Sequence, residues 1–201
     1  MDLFSTRSEV TQLNLKDAQV SYYPNFLSLV EAHNLYTELL QKTPWQQDDI
    51  KVFGKVYKQP RLTALYGSNT KPYSYSGITM HPMPFTPALL SVKKKAEALA
   101  GVCFTTALLN HYRDGQDSNG WHSDDEPELG QNPVIASVSL GAKRPFKLRP
   151  KANKAATQKI WLEHGSLLLM AGSTQHYWQH QLPKSTVIKE PRINITFRVI
   201  D

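Results

Sequence analysis

His122 and Asp124, a histidine and a carboxylate two residues apart, have the types and spacing to bind a metal ion. In an extended segment, residues two apart project from the same face, so both side chains can reach one ion. A second histidine, His180, follows after several predicted strands. Two imidazoles and one carboxylate form the facial triad of non-haem Fe(II) oxygenases, which leaves positions for a chelating co-substrate and dioxygen. Zinc accepts the same ligands together with water, so the ligand types also fit a hydrolase.

The third ligand of this triad has a second candidate. His176 lies four residues before His180, and both belong to the segment STQHYWQH. The local pattern does not distinguish the two histidines, so spacing alone leaves the choice between them open.

The segment from Pro191 to Val199 alternates between apolar and polar residues, which predicts a strand with two different faces. Its polar face consists of Arg192, Asn194, Thr196 and Arg198. Such a face is either exposed to water or lines the interior of a barrel that holds an acidic ligand. In the second case the two arginines suit the carboxylates of 2-oxoglutarate, or orient the metal-binding aspartate, because a guanidinium pairs well with a carboxylate.

An earlier predicted strand places Asn110 and Tyr112 on one face. Each side chain offers a neutral hydrogen-bond donor, and such donors suit an acid bound in a dry cavity, where unpaired polar groups are costly. These residues therefore indicate a polar pocket for a small acid beside the metal ligands.

The elements that must position these residues are mostly strands. Ser28 and Glu31 form a capping box that predicts a helix over about 29 to 42, and a second helix is predicted from Thr86-Pro87 to Gly101. Strands are predicted at 51–58, 61–66, 105–112, 134–140, 144–149, 158–163, 166–171 and 192–200. Because helices precede a long β-rich region without β-α alternation, the pattern favours a single domain with a double-sheet β-fold.

The composition is that of a globular protein, and its basic charge favours a polyanionic partner without requiring one. Hydrophobic residues make up 40% and charged residues 20%, the net charge is +6 and the pI is about 9.3. Seven basic residues and no acidic one lie between Lys143 and Lys159, which predicts either a solvated hairpin or a phosphate-binding surface. The one cysteine, Cys103, permits no intramolecular disulfide, and its apolar neighbours predict that it is buried.

No segment predicts association with a membrane. No apolar run approaches the roughly 18 residues that span a bilayer, and the first residues do not resemble a secretion signal. Because a single cysteine fits a reducing compartment, we expect the cytoplasm if the protein is bacterial and the nucleus if it is eukaryotic.

An ordered set of motifs resembles the AlkB family of Fe(II)- and 2-oxoglutarate-dependent dioxygenases, most of all the members that repair alkylated double-stranded DNA. The resemblance covers roughly residues 50 to 200. It rests on Asn110-His111-Tyr112, on the segments 122–126, 137–141 and 164–168, on His180, and on the segment 191–198.

The resemblance implies both a fold and a co-substrate site. The fold would be mainly β, a double-stranded β-helix or jelly roll with flanking N-terminal helices, in one domain over 1–201. A substrate-recognition lid would occupy about 46–85 and the catalytic core about 105–200. His122, Asp124 and His180 would bind Fe(II), with dioxygen and 2-oxoglutarate as co-substrates. The residues Asn110, Tyr112, Arg192, Asn194 and Arg198 would form the 2-oxoglutarate site.

The same resemblance implies how a substrate binds. Val52, Phe53 and Gly54 would form a hydrophobic finger that enters the duplex, Arg61, Tyr73 and Tyr75 would belong to the lid, and Asp125 and Glu126 would approach the target base. A monomer would oxidatively demethylate bases such as 1-methyladenine and 3-methylcytosine in DNA, releasing formaldehyde, succinate and CO2. Duplex DNA is favoured, while single strands and RNA fit too. Two alternatives are an oxygenase of the same type acting on RNA or protein, and a non-catalytic nucleic-acid-binding β-domain.

Overall fold

The computed structural model describes residues 10–52, 54–69, 73–75 and 78–200. Its helices are α1 (Leu29–Lys42), α2 (Pro87–Ala100) and the short α3 (Thr174–Tyr177), with a 3-10 turn at Pro127–Leu129. Its strands are β1 (Thr11–Leu13), β2 (Gln19–Tyr23), β3 (Asp49–Val52), β4 (Lys55–Lys58), β5 (Leu62–Gly67), β6 (Tyr73–Tyr75), β7 (Ile78–Met80), β8 (Met83–Pro84), β9 (Thr106–Tyr112), β10 (Asn119–His122), β11 (Ile135–Gly141), β12 (Arg144–Pro150), β13 (Gln158–Leu162), β14 (Ser166–Ala171), β15 (Trp178–Leu182) and β16 (Arg192–Arg198).

Two sheets carry the fold, as the sequence predicts. The larger sheet has eight strands in the order β1-β2-β14-β11-β16-β9-β5-β8, and the smaller has four in the order β10-β15-β12-β13. Strands β3 with β4 and β6 with β7 form separate two-stranded sheets. Neighbouring strands pair antiparallel, except for β5 and β8, which pair parallel.

Two apolar layers flank the larger sheet. On one face, Ile193, Ile195 and Phe197 of β16 pack into a cluster with Leu35 of α1 and Val92 of α2. On the other face, a second cluster joins the two sheets. It contains Tyr112, Leu168 and Met170 from the larger sheet and Phe146, Leu148, Trp178 and Leu182 from the smaller one. The polar face of β16 therefore points toward the space between the sheets.

Both predicted long helices are confirmed. The Ser28 hydroxyl accepts from the Glu31 backbone N–H at 3.3 Å, and the Ser28 N–H donates to the Glu31 carboxylate at 3.0 Å, so the capping box is formed. Gly101 ends α2 in the left-handed region, at φ 70°. Leu29 and Leu99 are exposed, because they lie at the ends of these helices.

Several local predictions were wrong. The single strand predicted over 51–58 is a hairpin of β3 and β4, because Gly54, at φ 78°, turns the chain there. Cys103 is exposed, since it lies in the connection between α2 and β9. Strands β1, β2, β10 and β15, which are short and rich in polar residues, had no sequence prediction.

Within the described residues, no helix is long and apolar enough to cross a membrane.

Candidate metal centre and co-substrate pocket

The structure brings the three residues of the predicted triad together. His122 ends β10 and faces His180 on β15 directly across the strand pair, with ring centroids 4.2 Å apart. Asp124 follows two residues after β10, and its Oδ1 lies 3.8 Å from the Nε2 of His122. The candidate ligand atoms of all three side chains lie within 4.8 Å of one another, so a single ion can contact all three.

One oxygen of the Asp124 carboxylate is hydrogen-bonded to Arg198, and the other is available to bind a metal. Oδ2 accepts from the Nη2 of Arg198 at 2.8 Å and from its Nε at 3.1 Å. Oδ1 is buried and has no hydrogen-bond partner among the described residues. A buried carboxylate oxygen without a partner is unfavourable, and two imidazoles face it, so the donor set fits Fe(II).

Electrostatics keeps the triad in the metal-binding protonation state. Burial raises the pKa of Asp124, but the charge and hydrogen bonds of Arg198, together with the two neighbouring histidines, outweigh burial and lower the pKa to about 2. Burial lowers the pKa of His180 to about 3, and it also lowers the pKa of His122. The carboxylate is therefore ionised and both imidazoles are neutral at physiological pH, as metal ligands must be.

Neighbouring groups fix the orientation of two ligands. The Nδ1 of His122 lies 2.8 Å from the Gly120 carbonyl, so it donates there and the lone pair stays on Nε2. The buried Gln175 side chain accepts from the Asp124 backbone N–H at 3.0 Å. Sequence patterns gave no signal for Gln175, because its role depends on the α3 turn bringing it against a residue about fifty positions away.

The structure distinguishes the two histidines that the sequence left equivalent. His176 is exposed on α3, and its Nε2 accepts from the Asn132 backbone N–H at 3.3 Å. In β15 the residues alternate, so His180 points inward together with Trp178 and Leu182. His180 therefore belongs to the triad and His176 does not.

A polar cavity adjoins the triad between the two sheets. Its polar lining includes Arg61, Asn110, Tyr112, Ser137, Arg192, Asn194, Thr196 and Arg198. The register of β9 and β16 explains this grouping, since Arg192 pairs with Tyr112 and Asn194 pairs with Asn110. All five residues predicted for 2-oxoglutarate thus line one cavity beside the metal ligands.

Arg192 is a buried cation that can bind the carboxylate of an acid. Its Nη2 donates to the Ser139 hydroxyl at 2.8 Å, while its buried Nε has no partner among the described residues. Burial lowers the pKa of Arg192 to about 10, so it remains charged at neutral pH. Because an uncompensated buried charge is costly, a carboxylate of 2-oxoglutarate fits this position.

Arg61 lies in the same cavity. Its Nε donates to the Asn110 side-chain oxygen at 2.8 Å, and the residue is buried. Asn110 in turn donates to Asn194 at 3.4 Å, and Asn194 donates to the Ser137 hydroxyl at 2.8 Å. The sequence analysis assigned Arg61 to the substrate lid, and the structure places its side chain in the cavity, hydrogen-bonded to Asn110.

The predicted base-contacting residues are partly described. Asp125 is exposed and pairs with Lys151 at 2.8 Å, and burial raises the pKa of Glu126. Gly54 lies in the exposed turn between β3 and β4. Phe53 lies outside the described residues, and so do the side chains of Val52, Tyr73 and Tyr75, although Tyr73 and Tyr75 bound strand β6.

A two-sheet β-fold enclosing two imidazoles, a carboxylate and a buried arginine has the architecture of a non-haem iron oxygenase. The comparison with protein families agrees. The 2OG-Fe(II) oxygenase superfamily matches residues 19–198, and the chain belongs to this superfamily. Membership implies Fe(II), 2-oxoglutarate and dioxygen, which confirms the predicted class of dioxygenase and its cofactors.

Known proteins refine this assignment. The chain is 44% identical to human alpha-ketoglutarate-dependent dioxygenase alkB homolog 3, over 96% of this chain and 71% of the relative. It is 45% identical to the bovine alkB homolog 3, over 91% of this chain and 66% of the relative. It is 36% identical to human DNA oxidative demethylase ALKBH2, over 89% of this chain and 72% of the relative. The chain thus spans about two thirds to seven tenths of these relatives' length, and the predicted AlkB resemblance is confirmed.

A solved structure supports the fold. OsALKBH1 aligns with a TM-score of 0.69 and 15% identity, over 95% of this chain and all of that one. The predicted jelly-roll fold is therefore confirmed.

Proposed function

We propose that this protein oxidatively removes N-linked alkyl groups from nucleic-acid bases, with alkylated DNA as its substrate. The relationship to AlkB homologues supports nucleic-acid demethylation, and one of these relatives is named a DNA oxidative demethylase. The observation that carries the proposal is the triad with the unpartnered Asp124 Oδ1, adjacent to the cavity that holds Arg192. The biological role would be direct reversal of alkylation damage.

The bound iron would supply the oxidation, in which dioxygen and 2-oxoglutarate give succinate and CO2 while the N-methyl carbon leaves as formaldehyde and the ring nitrogen is restored. The side chains of the protein bind and position the co-substrate and the metal. Arg192 neutralises one carboxylate of 2-oxoglutarate, and Asn110 and Tyr112 offer it neutral donors. Arg198 holds Asp124 ionised and oriented toward the two imidazoles.

Two acidic residues at the mouth of the site suit positively charged lesions. Asp125 and Glu126 directly follow the ligand Asp124. Adenine methylated at N1 and cytosine methylated at N3 are cations, so a nearby carboxylate favours them over the undamaged bases. The target base has to leave the stack to reach the iron, and the sequence segment Val52-Phe53-Gly54 would fill the vacated position in a duplex.

The direct test is mass spectrometry of DNA containing 1-methyladenine after incubation with Fe(II), 2-oxoglutarate and the protein. We expect loss of the methyl group, with one succinate formed for each group removed. Duplex, single-stranded DNA, methylated RNA and a protein extract should be compared in parallel. Succinate formation with RNA or protein alone would assign the enzyme to that substrate. Nucleic-acid binding without any consumption of 2-oxoglutarate would instead favour a binding module.

We also propose that the protein acts as a monomer wherever the DNA resides, in the cytoplasm of a bacterium or the nucleus of a eukaryote. Size-exclusion chromatography with light scattering tests the first part.

A further inference from the structure

The four-stranded sheet has an inner face at the metal site and an outer face that the proposed chemistry does not use. In β12, β13 and β15 the buried residues point inward, including His180, Phe146 and Leu148. The alternate residues point outward and are half-buried or exposed. They are Pro145, Lys147 and Arg149 of β12, Lys159 and Trp161 of β13, and Gln179 and Gln181 of β15.

This outer face is basic and aromatic. Lys147 and Lys159 pair directly across β12 and β13, and no outward residue of these three strands is acidic. At the edges of the face, Glu163 is paired with Lys143 and Asp125 with Lys151. The face therefore presents positive charge that no neighbouring carboxylate within it neutralises, which complements a phosphate backbone.

Two tryptophans lie among these cations. The guanidinium of Arg149 lies 4.0 Å above the ring of Trp121, and the Gln179 side-chain oxygen accepts from Arg149 at 2.9 and 3.1 Å. Trp161 is 42% exposed, with the amino groups of Lys143 and Lys159 at 5.9 and 5.4 Å from its ring. Aromatic rings beside cations are the arrangement on which unpaired bases stack while phosphates are neutralised.

The outer face is formed by strands that also carry the metal ligands. Trp121 immediately precedes the ligand His122, and Gln179 and Gln181 flank the ligand His180. Four strands at about 4.8 Å spacing extend roughly 14 Å from β10 to β13, which matches about four nucleotides at a stacked spacing of 3.4 Å. The outer face is therefore wide enough for a short unpaired segment to lie between Trp121 and Trp161.

We infer that the outer face of the four-stranded sheet binds the unpaired nucleotides on one side of the alkylated base. This inference rests on the proposed function. Exposed bases stack on Trp161, and Arg149, Lys147 and Lys159 contact the phosphates. A duplex presents no free base faces to stack, so the occupant is a single-stranded segment.

The first test is binding of an unmodified single strand of about 12 nucleotides, measured by fluorescence anisotropy. Trp161→Ala is expected to weaken binding about tenfold, while Trp161→Phe, which keeps a ring, largely restores it. Lys147→Ala/Lys159→Ala should lower the slope of log affinity against log salt by about 1.4, because two phosphate contacts are lost. The control Lys42→Ala/Lys94→Ala removes the same charge from exposed positions on α1 and α2, and should leave the slope unchanged.

The second test uses alkylated substrates of different length. The wild type should demethylate an alkylated single strand of about 12 nucleotides with a kcat/KM about tenfold above that for an alkylated trinucleotide. Trp161→Ala should abolish this difference in kcat/KM. Extending the trinucleotide on one side of the lesion should raise kcat/KM, whereas extending it on the other side should not.

The outcomes separate the two proposals. If all variants bind the long strand like the wild type, or if Trp161→Ala weakens duplex binding equally, the inference is wrong, even when demethylation is normal. If Trp161 governs single-strand binding while no alkylated DNA is demethylated, the binding face stands and the proposed function fails.

Discussion

Arg192 and Arg198 lie on one face of β16, but the structure gives them different partners. Arg198 donates to Asp124, which has a pKa of about 2, whereas Arg192 bonds a serine hydroxyl and retains an unpartnered Nε. The sequence alone allowed either role for each arginine. The difference arises because Asp124 approaches the end of β16 at which Arg198 lies, a fact that no local pattern contains.

Arg192→Ala is expected to raise the KM for 2-oxoglutarate about 100-fold, because a charge-assisted contact to a buried carboxylate is lost. The value of kcat at saturating 2-oxoglutarate should change much less. Succinate production against 2-oxoglutarate concentration measures both constants, with Lys189→Ala, at an exposed position, as the control. An unchanged KM would show that 2-oxoglutarate binds elsewhere.

His180→Ala is expected to remove bound iron and abolish turnover, while His176→Ala should retain both. The reason is that His180 faces His122 across β10 and β15, whereas His176 is exposed and its ring accepts from the Asn132 backbone N–H. Metal analysis and succinate production provide the readouts. Affinity for nucleic acid should fall less than about threefold in either variant, because phosphate contacts dominate that affinity. Loss of iron from His176→Ala would contradict this assignment.

At the scale of elements, strands with a regular alternation of apolar and polar residues were predictable from the sequence. The two strands that carry the histidine ligands, β10 and β15, were not predicted. β9 and β16 are fully buried and were predicted nearly to the residue. β15 also alternates, but His180 occupies an inward position between Trp178 and Leu182, so its apolar face is interrupted by the ligand itself. β10 is short and irregular, with a shift in register before His122. Polar ligands at inward positions therefore interrupt the apolar pattern from which these strands would be predicted.

The cap of α1 provides a pH-dependent prediction. Hydrogen bonds from Lys95 and Ser28 hold the pKa of Glu31 at about 2, below its ordinary 4.5. The folded state therefore gains stability from ionised Glu31 above about pH 4.5, and this gain disappears as the pH falls toward 2. Glu31→Gln should lower the free energy of unfolding by about 0.5–1 kcal/mol at pH 7, the lower part of the capping range since the side chain is half-exposed.

Urea unfolding at pH 7 and near pH 2.5 measures this difference. The control is Glu38→Gln, on the same helix, where the 3.8 Å contact to Lys42 is exposed. A Glu31→Gln defect that is equally large at both pH values would show that ionisation of Glu31 is not its cause.

At the scale of the whole molecule, two loops at one end of the fold are locked together. The Gly115 N–H donates to the Ile188 carbonyl at 3.0 Å, and buried Arg144 donates to carbonyls of Asp114, Asp117 and Pro183. A Cβ on Gly115 would lie 2.3 Å from the Ser185 carbonyl oxygen. Gly115→Ala should therefore destabilise the protein by about 2 kcal/mol in urea unfolding, whereas Gly120→Ala, with open space around its Cβ, is the matched control.

The unpaired groups of the co-substrate site also link ligand binding to global stability. Arg192 lacks a counter-charge and Asp124 Oδ1 lacks a partner within the described chain, so the folded protein is expected to gain stability when metal and 2-oxoglutarate bind. A ligand at about 100 times its Kd adds about 2.7 kcal/mol, which corresponds to roughly 5–10 °C in Tm for a chain of this size. Thermal melting without oxygen, with Mn²⁺ alone and with Mn²⁺ plus 2-oxoglutarate, should show two successive increases. Arg192→Ala should keep the increase from the metal and lose the one from 2-oxoglutarate, because only the second depends on its guanidinium. If Arg192→Ala kept both increases in full, the buried cation would not be the group that binds the acid.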